Sequence, residues 1–306
     1  MASLSVLAPV TIVDALLTSS TAPETDYAVW LVGSTYAVGN RVISTVTHRI
    51  YESLRASNIG HDPTDILNRT GTTPWWLDVG PTNRYAMFDG EASTQTVIAS
   101  PLTVVLHPGA FNSVYLAGLD GDALSITVKD SPGGSTIYTY TGDLEASEPP
   151  DYYEYFFDRF QPQTDFLASD IPSYINAELT VSITKVTGSV KCGVLALGDL
   201  RPLGLTQYGA KAKPKTYSYI KIDEFGNNVI KRRKSAKDMS ASSFVKIEEA
   251  NLVLDTITEL LDVPCVWIGT DIQEYSGLRV YGLGSAELSY DQPQVATLNL
   301  TVQGLI

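Results

Sequence analysis

Residues 96–142 read TVIASPLTVVLHPGAFNSVYLAGLDGDALSITVKDSPGGSTIYTYTG. Five runs rich in β-branched and aromatic residues, TVIAS, LTVVLH, SVYLAGL, LSITVKD and TIYTYTG, are divided at Pro108-Gly109, Asp120-Gly121-Asp122 and Pro132-Gly133-Gly134. Such runs are short strands, and the Gly, Pro and Asp between them supply the backbone freedom that tight turns require. Further along, ELTVSITKV (178–186) and VKCGVLALG (190–198) continue the pattern. Many strands at this spacing predict a jelly-roll β-sandwich over 81–205. The acidic and aromatic stretch EASEPPDYYEYFFDRFQPQTD (145–165) is read as a surface excursion from it.

Towards the N-terminus, YAVWLVGSTYAVGNRVISTVTHRIYESL (27–54) reads as two antiparallel strands divided at Val38-Gly39-Asn40, within a small β module over 26–80. Residues 1–25, which run into the linker-like SSTAPETD, read as an N-terminal arm. Towards the C-terminus, YGAKAKPK marks a border, with Pro214 discouraging a strand. YSYIKIDEFGNNVIKRRKS is a hairpin turning at Phe225-Gly226-Asn227-Asn228. In FVKIEEANLVLDTITELLD, Ala250, Leu254, Ile257 and Leu261, with Val253 and Leu260 beside them, form the apolar face of a helix that Pro264 closes. Strands at CVWIGT, LRVYGLGSAELSY and QVATLNLTVQGLI complete an α+β domain over 206–306. The expected class is mainly β and multi-domain: small antiparallel module, jelly roll, and α+β domain with one helix.

The bulk numbers agree with a folded chain too long for one core: 306 residues, 44% hydrophobic and 18% charged. No apolar run approaches the ~20 residues that span a bilayer, so membrane insertion is not expected. The first residues lack the basic start of a secretory signal. Cys192 and Cys265 are too few for a disulfide framework, and three His with two Cys make structural zinc improbable. Residues 1–205 carry 10 Lys/Arg against 22 Asp/Glu, whereas 206–306 carry 11 against 12. So acidic a body argues against nucleic acid as a partner.

Chemistry-bearing motifs are scarce. There is no G-x-S-x-G and no phosphate loop, and His48, His61 and His107 have no recognisable Ser or Cys partner. Asp120-Gly121-Asp122 is a turn before it is an acid pair or a calcium loop. No catalytic residue, metal or cofactor is expected. The run Lys231-Arg232-Arg233-Lys234 suits a solvated edge or an assembly contact with an acidic neighbouring subunit. Trp30, Tyr36, Tyr51, Trp75 and Trp76 have two readings. They are the core of the small module, or a platform on which sugar rings stack while Asp78, Asn83 and Arg84 bond the hydroxyls.

The segment Trp30…Thr35-Tyr36…Gly39-Asn40-Arg41-Val42…Tyr51…Trp75-Trp76 resembles small chitin-binding-type carbohydrate modules, with Asn40 where those have Asp. The resemblance implies glycan contacts at Tyr51, Trp75 and Trp76. The run Trp76-Leu77-Asp78-Val79-Gly80-Pro81-Thr82-Asn83-Arg84-Tyr85-Ala86-Met87-Phe88-Asp89-Gly90 is similar to a signature of tailed-bacteriophage virion proteins. The strands after it are similar to galactose-binding-like jelly rolls. The C-terminal Ile222–Asn227, Val266–Gly269 and Leu300–Leu305 stretches also resemble those phage proteins. The element order of the last hundred residues is similar, at fold level, to tail-tube and distal-tail subunits.

Together these imply a non-enzymatic structural protein of a phage tail tip or baseplate, made in the host cytoplasm and incorporated in the virion. Its partners would be other tail or baseplate proteins and copies of itself, as a trimer or hexamer, with weak host-glycan contacts as a secondary property. The alternatives are a receptor-binding protein whose main task is glycan recognition and, last, a glycan-cleaving tail enzyme.

Overall fold

The computed structural model of the protein describes residues 3–91, 93–144, 162–222, 227–233, 235–270, 272–290 and 292–305. The chain enters with β1 (Ser3–Leu7) and β2 (Leu17–Ser20). β3 (Arg41–Ser44), β4 (Arg49–Ser53), the single-turn helix α1 (Ile66–Arg69) and β5 (Trp76–Pro81) follow. Next come β6 (Thr96–Ala99), β7 (Leu102–Leu106), β8 (Ser113–Ala117), β9 (Ala123–Lys129) and β10 (Thr136–Asp143). Then come β11 (Asp165–Ala168), β12 (Glu178–Thr184), β13 (Ser189–Cys192) and β14 (Val194–Gly198). The last third holds β15 (Leu200–Thr206), β16 (Lys211–Thr216), β17 (Tyr219–Ile222), β18 (Asn228–Lys231) and β19 (Ser235–Lys246). It ends with the helix α2 (Ala250–Glu259), β20 (Cys265–Ile268), β21 (Arg279–Ser289) and β22 (Val295–Gly304). The protein is mainly β and multi-domain.

The sandwich arises from period-two patterning. In β7, β9 and β12 every second residue is buried: Leu102, Val104, Leu106; Leu124, Ile126, Val128; Leu179, Val181, Ile183. Register sets them side by side, Val181 facing Val104 on one flank and Ile126 on the other. Nine aliphatic side chains thus cover one face of a sheet ordered β10-β9-β12-β7-β2. At ~1.5–3 kcal/mol for each fully buried side chain, that face is a major source of stability. Across from it lies the sheet β11-β8-β14, which contributes Val114, Leu116, Leu195 and Leu197 to the same core.

The last third closes into a barrel. Its strands run β15-β1-β20-β21-β22-β19, and β15 then pairs with β19 through Leu205 and Phe244. Leu4, Val6, Trp267, Leu298 and Leu300 fill the inside, and α2 packs on it. Tyr115, Val194 and Ala196 meet Leu7, Val266, Ile268 and Tyr281 in a second apolar layer between sandwich and barrel wall. β8, β14 and β20 are therefore buried on both sides, which explains their continuous apolar runs.

Several expectations change. Residues 1–25 do not stand off as an arm, because β1 is an interior strand of the barrel and β2 an edge of the sandwich. The modules are nested rather than consecutive. The small sheet β3-β4-β5 sits within the sandwich between β2 and β6, and the sandwich sits within the barrel between β1 and β15. In the small module the hairpin turn falls at residues 45–48, not at Val38-Gly39-Asn40. Pro214 lies inside β16, which tolerates it because this strand is an edge. The inner face of α2 is Ala250, Val253, Ile257 and Leu260, leaving Leu254 and Leu261 exposed. Most of the 145–165 excursion and residues 223–226 of the hairpin turn lie outside the described residues.

Candidate functional site

The small module has one compact aromatic core. Tyr51 and Trp76 alternate onto the same face as Val42, and all three are fully buried, with Trp30, Tyr36 and Trp75 packed around them. Tyr36 meets Trp76 edge to face at 5.3 Å. The Trp76 Nε1 donates to the His61 carbonyl at 2.8 Å, and the Tyr51 hydroxyl pairs with Thr47 Oγ1 at 2.9 Å. A ring enclosed in this way has no face left for a sugar, so Tyr51 and Trp76 are core, not platform. Trp75 alone of the three is half-exposed. Its ring stacks against His61 at 3.7 Å, and the Arg55 guanidinium stands 4.7 Å from its centroid.

The polar residues expected to bond sugar hydroxyls are engaged within the chain. Arg49 Nε donates to both Asp78 oxygens, at 2.8 and 2.7 Å, and Arg69 lies 3.6 Å from the same carboxylate. Asn83 brackets Val97, its Nδ2 donating to the carbonyl and its Oδ1 accepting from the amide. Arg84 Nε donates to the Ala22 carbonyl at 2.9 Å. Asn83 and Arg84 therefore work as a clasp where the chain enters and leaves the small module. Asp26 accepts from the Asn83 amide, and Thr82 Oγ1 donates to Glu24, completing it.

Beside this clasp lies a cleft of about 510 Å³, lined by Ile12, Asp14, His48, Arg49, Tyr85 and Asp89 among others. His48 projects into it from the 45–48 turn with φ +53°, a left-handed conformation that few side chains other than Asn, Asp and His adopt readily. Its Nδ1 lies 2.9 Å from Glu24 and its Nε2 3.2 Å from Asp14, while the ring stacks on Tyr85 at 3.7 Å. The Tyr85 hydroxyl donates to Asp14, and burial first, then this bond, pushes its pKa up. Burial likewise raises Asp89. Since Asp14 and Glu24 face opposite nitrogens of one ring, they diverge and do not converge on a metal. Among the described residues no group of three or more His, Cys, Asp or Glu is arranged to hold one. Among the described residues no imidazole bonds a Ser or Cys either: His61 stacks on Trp75, and His107 Nε2 lies 3.2 Å from the Asn176 carbonyl.

The cleft's chemistry is that of a latch. The His48 imidazole ties the small module to two segments of the sandwich. A His48→Ala chain is expected to speed hydrogen exchange in residues 41–53 at least tenfold while β7, β9 and β12 stay protected, with exchange mass spectrometry as the check. Sequence reading missed this latch because its carboxylates lie 24 and 34 residues from His48, with no motif to join them.

Asp120 and Asp122 are also structural. Asp120 pairs with Lys185 and, at 3.0 Å, with Lys191, and Asp122 accepts from the Val186 amide at 2.7 Å. Hydrogen bonds from the two lysines hold the Asp120 pKa below its ordinary value. A depressed carboxylate stabilises the fold at neutral pH, and that contribution fades as pH falls below about 4. Asp120→Asn is thus expected to cost no more than about 1 kcal/mol near neutrality, the group being partly exposed. The difference should vanish in urea titrations at pH 2–3.

The basic run sits on a different structure. β17 and β18 form a two-stranded hairpin that joins no other sheet among the described residues. Lys231 ends β18, Arg232 and Arg233 follow it, and Lys234 lies outside the described residues. Residues directly opposite in a ladder share a face, so Ile220, Ile222 and Ile230 lie together, opposite Tyr219, Lys221, Val229 and Lys231. Every residue of both strands is exposed, Ile220, Ile222 and Ile230 by 65%, 66% and 61%. No helix among the described residues is long and apolar enough to cross a membrane. No family model matches this chain, and no curated protein matches it.

Proposed function

We propose that this chain is a non-enzymatic structural subunit of a phage tail tip or baseplate that assembles as a symmetric homo-oligomer of three or six copies. The observation that carries the assembly is the hairpin. A two-stranded hairpin is marginal in water by itself, and this one presents an uncovered isoleucine face. A surface of that kind is completed by association. The virion setting rests on the resemblance of the 76–90 run and of the C-terminal stretches to phage proteins, and the barrel with its packed helix is compatible with a ring-forming domain. Nested insertion would carry the sandwich and small module outward from such a ring.

Light scattering on the full chain tests the assembly. A mass of three or six chains supports it, and a monomer at every concentration up to the millimolar range refutes it. Side-chain-resolution imaging of a particle that contains the chain tests the location. Of the three rings in the glycan alternative, only Trp75 is not fully buried. Under the structural reading, Trp75→Ala leaves binding to host cells unchanged, and a loss of binding would restore glycan recognition as the main task.

A further inference from the structure

The β17–β18 hairpin has a second face, opposite its isoleucines. Tyr219, Lys221 and Lys231 lie on it, and Arg233 joins them by standing 5.0 Å from the Tyr219 ring centroid. All four are exposed, and Lys221, Lys231 and Arg233 form no ion pair among the described residues. Like charge continues along the chain, since residues 211–237 contain nine Lys/Arg and two carboxylates. Cations gathered on one side of a two-stranded hairpin repel one another, and an acidic partner relieves that cost.

The chain carries a segment of matching composition. Residues 145–161 lie outside the described residues, and their sequence, EASEPPDYYEYFFDRFQ, holds five carboxylates, one arginine and six aromatic residues. Both ends of that segment leave the sandwich at one point, where the Gln163 amide donates to the Leu144 carbonyl at 3.0 Å. Two residues on, Asp165 opens β11 beside the barrel: burial raises its pKa, and Lys237 and Arg279 are near enough to draw it partly back. Lys237 pairs with Pro214 early in β19. Four residues before it, the Arg233 amide donates to Ser218 Oγ at 3.0 Å and closes the base of the hairpin. At ~3.3 Å per residue that base lies within roughly 13 Å of Lys237. A 17-residue excursion that leaves and returns at one point reaches up to roughly 28 Å, enough to meet it.

We infer that residues 145–161 dock on the basic face of the hairpin in the same chain, with their carboxylates against Lys221, Lys231 and Arg233. Tethering at this range gives an effective concentration on the order of millimolar, an advantage no separate partner has. The isoleucine face stays open on the other side, so the contact goes beyond the assembly reading and stands independently of it.

Charge reversal in the full chain tests the contact. Glu148→Lys, Asp151→Lys and Glu154→Lys together leave every hairpin residue untouched. A two-stranded hairpin has little stability of its own. This variant is therefore expected to exchange amide hydrogens in residues 219–231 at least tenfold faster than wild type, with β7, β9 and β12 unchanged. Adding Lys221→Glu, Lys231→Glu and Arg233→Glu to the same chain should restore the wild-type rate. If the first variant exchanges like wild type, or the added set fails to restore protection, the two surfaces do not pair and the inference falls.

Cross-linking identifies the occupant. A zero-length carbodiimide joins carboxylates to amines in contact, and mass spectrometry should find residues 145–158 linked to Lys221 or Lys231. In a mixture of isotope-labelled and unlabelled chains, every such link should fall within one chain. Links between chains of different label would put a neighbouring copy's segment on the hairpin and overturn the same-chain contact. Absence of any link to 145–158 would leave the face to a different partner and overturn it as well. Light scattering reads the assembly separately, so loss of this contact and loss of the oligomer are told apart.

Discussion

Gly284→Ala is expected to lower the stability of the barrel by about 3 kcal/mol or more, making this chain unfold at clearly lower urea than wild type. Gly284 lies in β21 beside the Trp267 indole, and a Cβ there would stand under 3.0 Å from three atoms of the ring. The ring has nowhere to go. Trp267 is fully buried among Leu4, Val6, Leu298 and their neighbours, and its Nε1 donates to the Gly282 carbonyl at 3.1 Å. Moving the indole breaks that bond and overpacks the barrel interior, and moving the strand disturbs the ladder to β22. Gly277→Ala is the control, since its nearest neighbour would be 4.0 Å away and no loss is expected. Equal stability of the two variants would contradict this account of the barrel core.

Trp76→Ala should instead act locally. The aromatic cluster of the small module has just Val42, Tyr51 and Trp76 as buried members, with three partly buried aromatics around them. Removing an indole from a core typically costs ~3–5 kcal/mol, and a module this small has little in reserve. The expected result is loss of exchange protection across β3, β4 and β5, with sandwich and barrel unchanged, and a separate low-temperature transition in calorimetry. Trp76→Phe should fall between, because it keeps most of the packing but loses the bond to the His61 carbonyl. Trp75→Ala, at a half-exposed ring, should cost far less. A Trp76→Ala chain that loses protection evenly throughout would show that the module does not open separately.

Local patterning made the sandwich legible: Leu102, Val104 and Leu106 alternate with polar residues, and so do Leu179, Val181 and Ile183. Helix α2 is legible as an element but its buried face is not, because five leucines and valines offer two apolar stripes and only tertiary packing chooses Val253 over Leu254. Long-range pairing was not legible. Nothing in SLSVL announces partners near residues 203 and 267, and a short strand buried on both sides has no distinguishing period. The site divided similarly. The motif located the aromatic cluster, yet it is tertiary packing that encloses Tyr51 and Trp76 and makes Asn83 and Arg84 clasp the chain. The paired strands of the exposed hairpin are readable from local sequence because, among the described residues, they join no other sheet.

Nesting also bears on how such a topology becomes reachable during synthesis. β1 must find β15 across some 190 intervening residues and β20 across 60 more, separations that ordinarily make folding slow. Each insertion shortens that search for its host. Once β2 and β7 are joined through Ser20 and Val104, the small module is a closed excursion; once Val10 meets Leu197, the sandwich is one too. The folded sandwich then delivers Leu7 and Leu200 side by side, so most of the loop-closure entropy has been met before the barrel begins to form. Translation completes the units from the inside outward: small module by residue 81, sandwich by 198, barrel by 304. Vectorial synthesis therefore supplies the inner folds in the order that a long-range barrel requires.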